Sequence, residues 1–187
     1  MIGNDIVDLH QAHRESNWRR AGYLDKICTR HEQDLIYSSS TPEVLVWVFW
    51  ALKEAVYKIY YRTHPVWQYA PSKISCFKIN RQGEAFFAQI SYKENLFFGK
   101  IMFIDNSIIH AVACTTKPDL ARVNHYEFDN QDPIAYTPFL RAQDILSPRE
   151  TVEKNAHGIP NIIHREKNTQ RPISISHHGR KTGIALF

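Results

Sequence analysis

The sequence lacks any apolar run long enough to cross a bilayer. The longest run, VLVWVFWAL at residues 44–52, is nine residues long, whereas a transmembrane helix needs about 20. The first residues also lack the basic, apolar and small-residue zones of a signal peptide, since the acidic Asp5 stands where positive charge is expected. We therefore expect a cytoplasmic protein that does not enter the membrane.

Cysteine is scarce as well. Cys28, Cys76 and Cys114 are far apart and odd in number, which argues against a disulfide framework and a zinc ribbon. His10 and His13 are three residues apart without further partners, so surface positions are a better interpretation than a zinc site. The net charge is only +4; this slightly favours acidic partners or phosphates, and the chain has no dense basic stripe of the kind that binds nucleic acid.

The patterns that are present predict an α+β fold, as one compact domain or two small fused halves. Residues 2–9 read as a strand, and TRHE at 29–32 has the spacing of a capping box that opens a helix. Thr41, Pro42 and Glu43 predict the start of a long helix that ends at about Arg62. Residues 73–116 predict an antiparallel meander packed on this helix.

The second part of the chain is harder to interpret. Residues 119–146 show no clear pattern. SPRE at 147–150 again has capping-box spacing and predicts a helix over about 148–156. PISIS and KTGIALF, on either side of a turn through HHG, predict two final strands.

Two carboxylates and a lysine are the first candidates for a site. Asp5 and Asp8 are three apart on a strand, so they point to opposite faces and at most one can enter a given site. Glu54 and Lys58 lie one turn apart, beside a buried stripe formed by Leu45, Phe49, Leu52, Val56 and Ile59. Mg²⁺ is commonly held by one or two carboxylates and substrate phosphates. By spacing alone, however, an ordinary ion pair along a helix is the simpler interpretation of Glu54 and Lys58.

A third segment lies near the end of the chain. Ser174, Ser176, His177 and His178 precede Gly179 at a junction between strand and turn, where hydroxyl, imidazole and amide groups can bind an anion. The same residue types are common in turns that bind nothing.

Taken in order, GNDIVDL (3–9), WALKEAVYK (50–58) and SISHHG (174–179) resemble the 4'-phosphopantetheinyl transferase superfamily, in its holo-acyl-carrier-protein synthase type. The resemblance implies transfer of the phosphopantetheine arm of coenzyme A to a serine of an acyl or peptidyl carrier protein. It implies that Asp5 and Glu54 hold Mg²⁺, and that Glu54 also helps to deprotonate the serine. The residues that it implies for coenzyme A binding are Lys53, Lys58, Ser176 and His177.

The resemblance also concerns the order of the parts. In larger, two-half members, a first half with a G-K-P segment and a serine-histidine strand precedes the G-x-D-I-E strand. Here GIP (158–160) and SISHHG come last. This order predicts either a monomer with permuted halves or an oligomer in which a neighbour completes the site. We divide the chain into a main half (1–117), an irregular connection (118–146) and a partial half (147–187).

Two departures from the family pattern bear on activity. Val7 stands where two-half members often carry a second acidic ligand, so that Asp8 or a water would compensate or the metal would have fewer protein ligands. Ile159 replaces the lysine of G-K-P. A rival hypothesis is therefore a non-catalytic module that binds coenzyme A or a carrier protein. Arg14, Arg19 and Arg20 could meet an acidic carrier protein, although a solvated basic face is the simpler interpretation.

Overall fold

The computed structural model describes residues 1–65, 68–129 and 136–187. The helices are α1 (Leu9–Glu15), α2 (Tyr23–Ile27), α3 (Arg30–Ser38), α4 (Pro42–Thr63), α5 (Lys117–Ala121) and α6 (Tyr136–Ala142). The strands are β1 (Ile2–Asp8), β2 (Ser75–Gln82), β3 (Ala85–Tyr92), β4 (Asn95–Ile104), β5 (Ile108–Cys114), β6 (Asn124–Asp129), β7 (Glu150–Lys154), β8 (Pro160–His164), β9 (Thr169–His178) and β10 (Lys181–Leu186).

The strands form two antiparallel five-stranded sheets, with the orders β1-β5-β4-β3-β2 and β6-β10-β9-β8-β7. The predicted α+β class is confirmed, and the meander over residues 73–116 is β2 to β5. None of the helices in the described ranges is long and apolar enough to span a membrane.

The long helix α4 packs on the first sheet, as predicted. Phe49, Leu52, Val56 and Ile59 are buried in the main apolar core, and the fifth residue of the predicted stripe, Leu45, is partly buried against it. The helix passes very close to β1: a Cβ built on Gly3 would lie 2.0 Å from the carbonyl oxygen of Ala55. Only glycine fits at this crossing, so the start of β1 is pressed directly against the helix backbone.

The capping box at the start of α3 is confirmed. The Thr29 hydroxyl accepts from the Glu32 amide at 3.3 Å, and the Thr29 amide donates to the Glu32 carboxylate at 2.7 Å. The same spacing at 147–150 misled the prediction of a helix over 148–156, which is wrong. The Ser147 amide does donate to the Glu150 carboxylate, but residues 150–154 continue as β7 and pair with β8. Sheet pairing outweighs the local capping signal here.

The two final strands are confirmed as β9 and β10, joined by a turn in which Gly179 has a φ of +58°. The stretch 119–146, which was uninterpretable as sequence, contains part of α5, all of β6 and all of α6, while residues 130–135 of it lie outside the described residues. The structure thus adds β6 to the edge of the second sheet, next to β10.

The two sheets meet along β1. As an edge strand, β1 has amides that β5 does not use, and side chains of β9 accept from two of them: Asn4 N donates to Ser174 Oγ at 2.9 Å, and Asp8 N donates to His178 Nδ1 at 3.0 Å. Phe187 packs on the apolar cluster that contains Ile2. The closeness of the chain ends is what a permuted arrangement requires, and permutation itself stays a prediction.

Candidate active site

Strand β1 presents different residues on its two faces. Asp5 faces α4, where its carboxylate lies 3.2 Å from Lys58 Nζ. Asp8 belongs to the other set and caps α1, since its Oδ1 accepts from the amides of His10 and Gln11 at 3.0 and 3.1 Å. The alternation therefore separates the two acids as expected, and Asp8 is not placed to substitute for an acid at Val7, which is buried in the main core.

Lys58 is held against the start of β1. Its Nζ donates to the carbonyl oxygen of Asn4 at 2.8 Å and to Oδ1 of Asp5 at 3.2 Å. Burial raises the pKa of Asp5, although the Lys58 ammonium opposes this shift. An ammonium and a carboxylate are thus fixed together at the edge of the interior, with Lys58 partly open to solvent.

Glu54 lies one helical turn before Lys58. Burial, followed by the nearby charge of Asp5, raises the pKa of Glu54 to about 7, and the Lys58 charge and the Tyr69 hydroxyl partly offset the rise. The Tyr69 hydroxyl is near enough to Glu54 to affect its pKa, but the two do not form a well-aligned hydrogen bond. The carboxyl groups of Asp5 and Glu54, both with raised pKa values, therefore lie near the ammonium of Lys58. Such a combination is typical of functional sites.

Tyr69 was missed by the sequence analysis. Its ring packs against Tyr57 and Trp50 of α4, with centroid distances of 4.7 and 5.8 Å. Tyr69 follows α4 in an irregular connection, where no periodicity predicts which way a side chain points. The only sequence signal for Tyr69 was an aromatic residue that soon follows the helix.

A cavity of about 310 Å³ opens beside Glu54 and Lys58. It joins parts of the chain that are far apart in sequence, because its walls come from α4, the turn before β8, and β9. The lining residues are Glu54, Tyr57, Lys58, Tyr61, Arg62, His157, Gly158, Ile159, Pro160, Ser174 and Ile175. The GIP segment and the start of SISHHG thus meet Glu54 and Lys58 of α4 within one chain.

Arg62 connects the end of α4 to the second sheet through hydrogen bonds. It donates to the carbonyl oxygens of Pro160 and Ile173 and to Oδ1 of Asn161. Burial lowers the pKa of the guanidinium. Arg62 was not singled out in the sequence, yet it holds the GIP turn in place against the helix.

Lys53 is not brought to this site, which corrects its expected place in the coenzyme A set. Its side chain is fully buried, and Nζ donates to Glu32 Oε2 at 2.6 Å and to the carbonyl oxygens of Ile27 and Pro71 at 2.7 and 3.0 Å. All three ammonium hydrogens are thereby used. Lys53 holds α2 and the turn after residue 70 against α4.

The tail residues are only partly placed as expected. Ser174 lines the cavity, whereas the hydroxyl of Ser176 accepts from Asn4 Nδ2 at 3.0 Å. The ring nitrogens of His177 contact the hydroxyls of Thr182 and Tyr136. Burial, with smaller effects from nearby lysines, lowers the pKa of His177. His177 would have to leave Tyr136 before its Nε2 could bind a phosphate.

The family comparison agrees with this geometry. The family model described as 4'-phosphopantetheinyl transferase superfamily matches residues 1–100. This match covers more than half of the chain. The protein belongs to the 4'-phosphopantetheinyl transferase superfamily. A search among curated proteins found no match.

The superfamily match includes Asp5, Glu54 and Lys58 but ends before the second sheet. Roles for residues beyond it rest on their contacts in this transferase and on the resemblance of SISHHG. The other sequence candidates lie apart: His13 contacts Glu43 at 3.0 Å on the surface, and the exposed Arg19 stacks over Trp18 at 4.1 Å. Over the described ranges, no three His, Cys, Asp or Glu side chains form a ready metal cage.

Proposed function

We propose that this transferase moves the phosphopantetheine arm of coenzyme A to a serine of an acyl or peptidyl carrier protein, with Mg²⁺ at Asp5 and Glu54. The observation that supports it best is the cavity in which Glu54 and Lys58 face the GIP turn and Ser174. The matched segment supplies the acid and the cation, and the tail of the same chain supplies the opposite wall. This favours a monomer whose second sheet completes the site.

The residues present fit Mg²⁺. The negative charge of Asp5 contributes to the raised pKa of Glu54, so a divalent cation between them would relieve repulsion that one lysine only partly offsets. Mg²⁺ keeps several waters and needs few protein ligands when phosphates supply the others. When bound, it would neutralise charge that develops on the pyrophosphate. The buried Val7 reduces the number of protein ligands and does not remove the site.

The chain's own residues have distinct roles in the proposed reaction. Lys58 neutralises a phosphate oxygen at the wall of the cavity. Glu54, whose pKa is raised to about 7, accepts the proton of the carrier serine, directly or through water. The serine oxygen bonds to the β-phosphorus of coenzyme A, the bond from this phosphorus to the bridging oxygen breaks, and adenosine 3',5'-bisphosphate leaves with that oxygen.

Mass spectrometry of apo carrier proteins tests the proposal. Carriers incubated with the protein, coenzyme A and Mg²⁺ should gain the phosphopantetheine mass, and Glu54→Gln should reduce the rate by about 10² or more. Glu43→Gln is the matched control, since Glu43 is in the first turn of α4 and pairs with His13 on the surface. Binding of coenzyme A without modification of any acyl or peptidyl carrier would instead support the non-catalytic module, which Val7 and Ile159 favour.

A further inference from the structure

A chain of hydrogen bonds crosses the seam between the two sheets behind Lys58. His110 of β5 is fully buried; its Nδ1 lies 2.6 Å from Glu127 Oε1 of β6, and its Nε2 lies 3.0 Å from Asn4 Nδ2 of β1. Asn4 Nδ2 also donates to Ser176 Oγ of β9 at 3.0 Å. Four strands from both sheets thus meet through four polar side chains.

Each of these side chains determines which atom of the next one donates a hydrogen bond and which one accepts it. A carboxylate only accepts, so His110 carries its proton on Nδ1, and Nε2 of the neutral ring must then accept from the Asn4 amide. Burial would raise the pKa of Glu127, but the hydrogen bond from His110, with the charge of Lys181, holds it below its usual range. Within the part of the chain that the structure describes, Asn4 Oδ1 has no partner. His110 and Ser176 alone therefore orient this amide.

The backbone of Asn4 leads directly to the candidate site. Its carbonyl oxygen accepts from Lys58 Nζ at 2.8 Å, and the next residue is Asp5. Its amide donates to Ser174, which lines the cavity. Gly183 of β10 packs closely against the Asn4 amide and the His110 ring, since a Cβ on Gly183 would lie 3.1 Å from both Asn4 Nδ2 and His110 Nε2. These two side chains therefore have little room to move.

We propose that Glu127 and His110 are positioning residues that act through Asn4 to hold Lys58 and Ser174 at the cavity. The role assigned to Lys58 rests on the proposed function, whereas the position of the proton on the His110 ring does not depend on it. Neither positioning residue lines the cavity, and Asn4 is the residue that contacts both His110 and Lys58. A purely structural link between the sheets would also use these bonds, and the experiments below separate the two roles.

The first experiment measures where His110 carries its proton. Side-chain ¹H–¹⁵N spectra of the full-length protein, with His110→Gln for assignment, should show a neutral ring protonated on Nδ1. Glu127→Ala should shift His110 toward the Nε2-protonated form, and Glu127→Gln should retain part of the original signal, because an amide oxygen can still accept. A wild-type ring protonated on Nε2 would overturn the proposal without any reference to activity.

The second experiment is a double-mutant cycle with Lys58, measured as coenzyme A affinity by calorimetry in Mg²⁺. Glu127→Ala should weaken binding about tenfold, a size typical of residues that share one hydrogen-bond network. In the Lys58→Met background it should have little further effect. Glu166→Ala removes a carboxylate from a surface pair with Arg149 and is the matched control with unchanged affinity.

The outcomes are distinguishable. Equal effects of Glu127→Ala in both backgrounds would show a general structural role and overturn the positioning role, as would no effect in either. Gly183→Ala supplies a second perturbation, since it presses on the Asn4–His110 contact and removes no polar group; unchanged affinity with a displaced His110 signal would also contradict the proposal. If the wild-type protein modifies no carrier, the proposed transfer is wrong. The double-mutant cycle and the position of the His110 proton are still decided by their own measurements.

Discussion

Lys53 and Lys58 project from the same helix in different directions, and only Lys58 reaches the cavity. Five residues of α-helix correspond to a rotation of about 140°. The ammonium of Lys53 is sealed against Glu32, with both side chains fully buried, whereas the Lys58 side chain is 29% exposed and lies against Asp5. Two lysines in one motif therefore lie in separate environments, one in the buried core and one at the cavity.

The two lysines should respond differently to substitution by methionine. Lys53→Met should lower the free energy of unfolding by about 3–5 kcal/mol, because it leaves the buried Glu32 carboxylate without its partner. Lys58→Met should cost about 1 kcal/mol of stability and weaken coenzyme A binding. Urea denaturation and calorimetry provide the two measurements. Stronger loss of affinity in folded Lys53→Met than in Lys58→Met would show that the buried lysine had been assigned the wrong role.

Glu54 should make stability depend on pH. Its pKa rises from 4.5 to about 7 on folding, so between these values the unfolded chain has lost the proton that the folded protein retains. The free energy of unfolding should therefore fall as the pH rises from about 4.5 to 7, by about 1–3 kcal/mol from this group. Denaturation of wild type and Glu54→Gln at several pH values without Mg²⁺ measures this. Parallel pH curves for the two proteins would contradict the prediction.

Binding of Mg²⁺ should release protons near neutral pH. Because the ion binds the ionised carboxylate, it competes with the proton on Glu54, and affinity should increase between pH 6 and 8. Calorimetric titration with Mg²⁺ alone, in two buffers of different ionisation enthalpy, counts the protons. Glu54→Gln should abolish this release, and a buffer-independent heat in the wild type would rule out the coupling.

The crossing of β1 and α4 should tolerate no side chain at residue 3. Gly3→Ala would place a Cβ 2.0 Å from the Ala55 carbonyl oxygen, and relief requires movement of a helix backbone, so we expect a loss of at least about 3 kcal/mol. Gly83→Asn is a suitable control, because Gly83 has a φ of +62° and a Cβ added there would meet no atom within 4 Å. Asparagine accepts this conformation. Near-normal unfolding of Gly3→Ala would show that the strand and helix are further apart.

Local pattern was enough to predict that Asp5 and Asp8 lie on opposite faces of β1 and that Glu54 and Lys58 share one side of α4. Strand alternation and helical spacing depend only on neighbouring residues. Local pattern failed for Lys53, whose partner Glu32 lies 21 residues away in another helix, and for β7, whose strand character depends on pairing with β8. The contacts of Asn4 with His110 and Ser176 span 106 and 172 residues. No single sequence shows which of its polar residues will meet across such distances.

The alternation along β1 has a consequence for how this chain can change in length. One face of the strand carries Gly3 and Asp5 toward the helix, and the other carries Asn4 toward the second sheet. A one-residue slip of β1 against β5 would exchange the two sets at once. The glycine at the helix crossing, the acid beside Lys58 and the amide between the sheets would all be lost together. Insertions should therefore be accepted at the β2–β3 turn around Gly83 and rejected within β1.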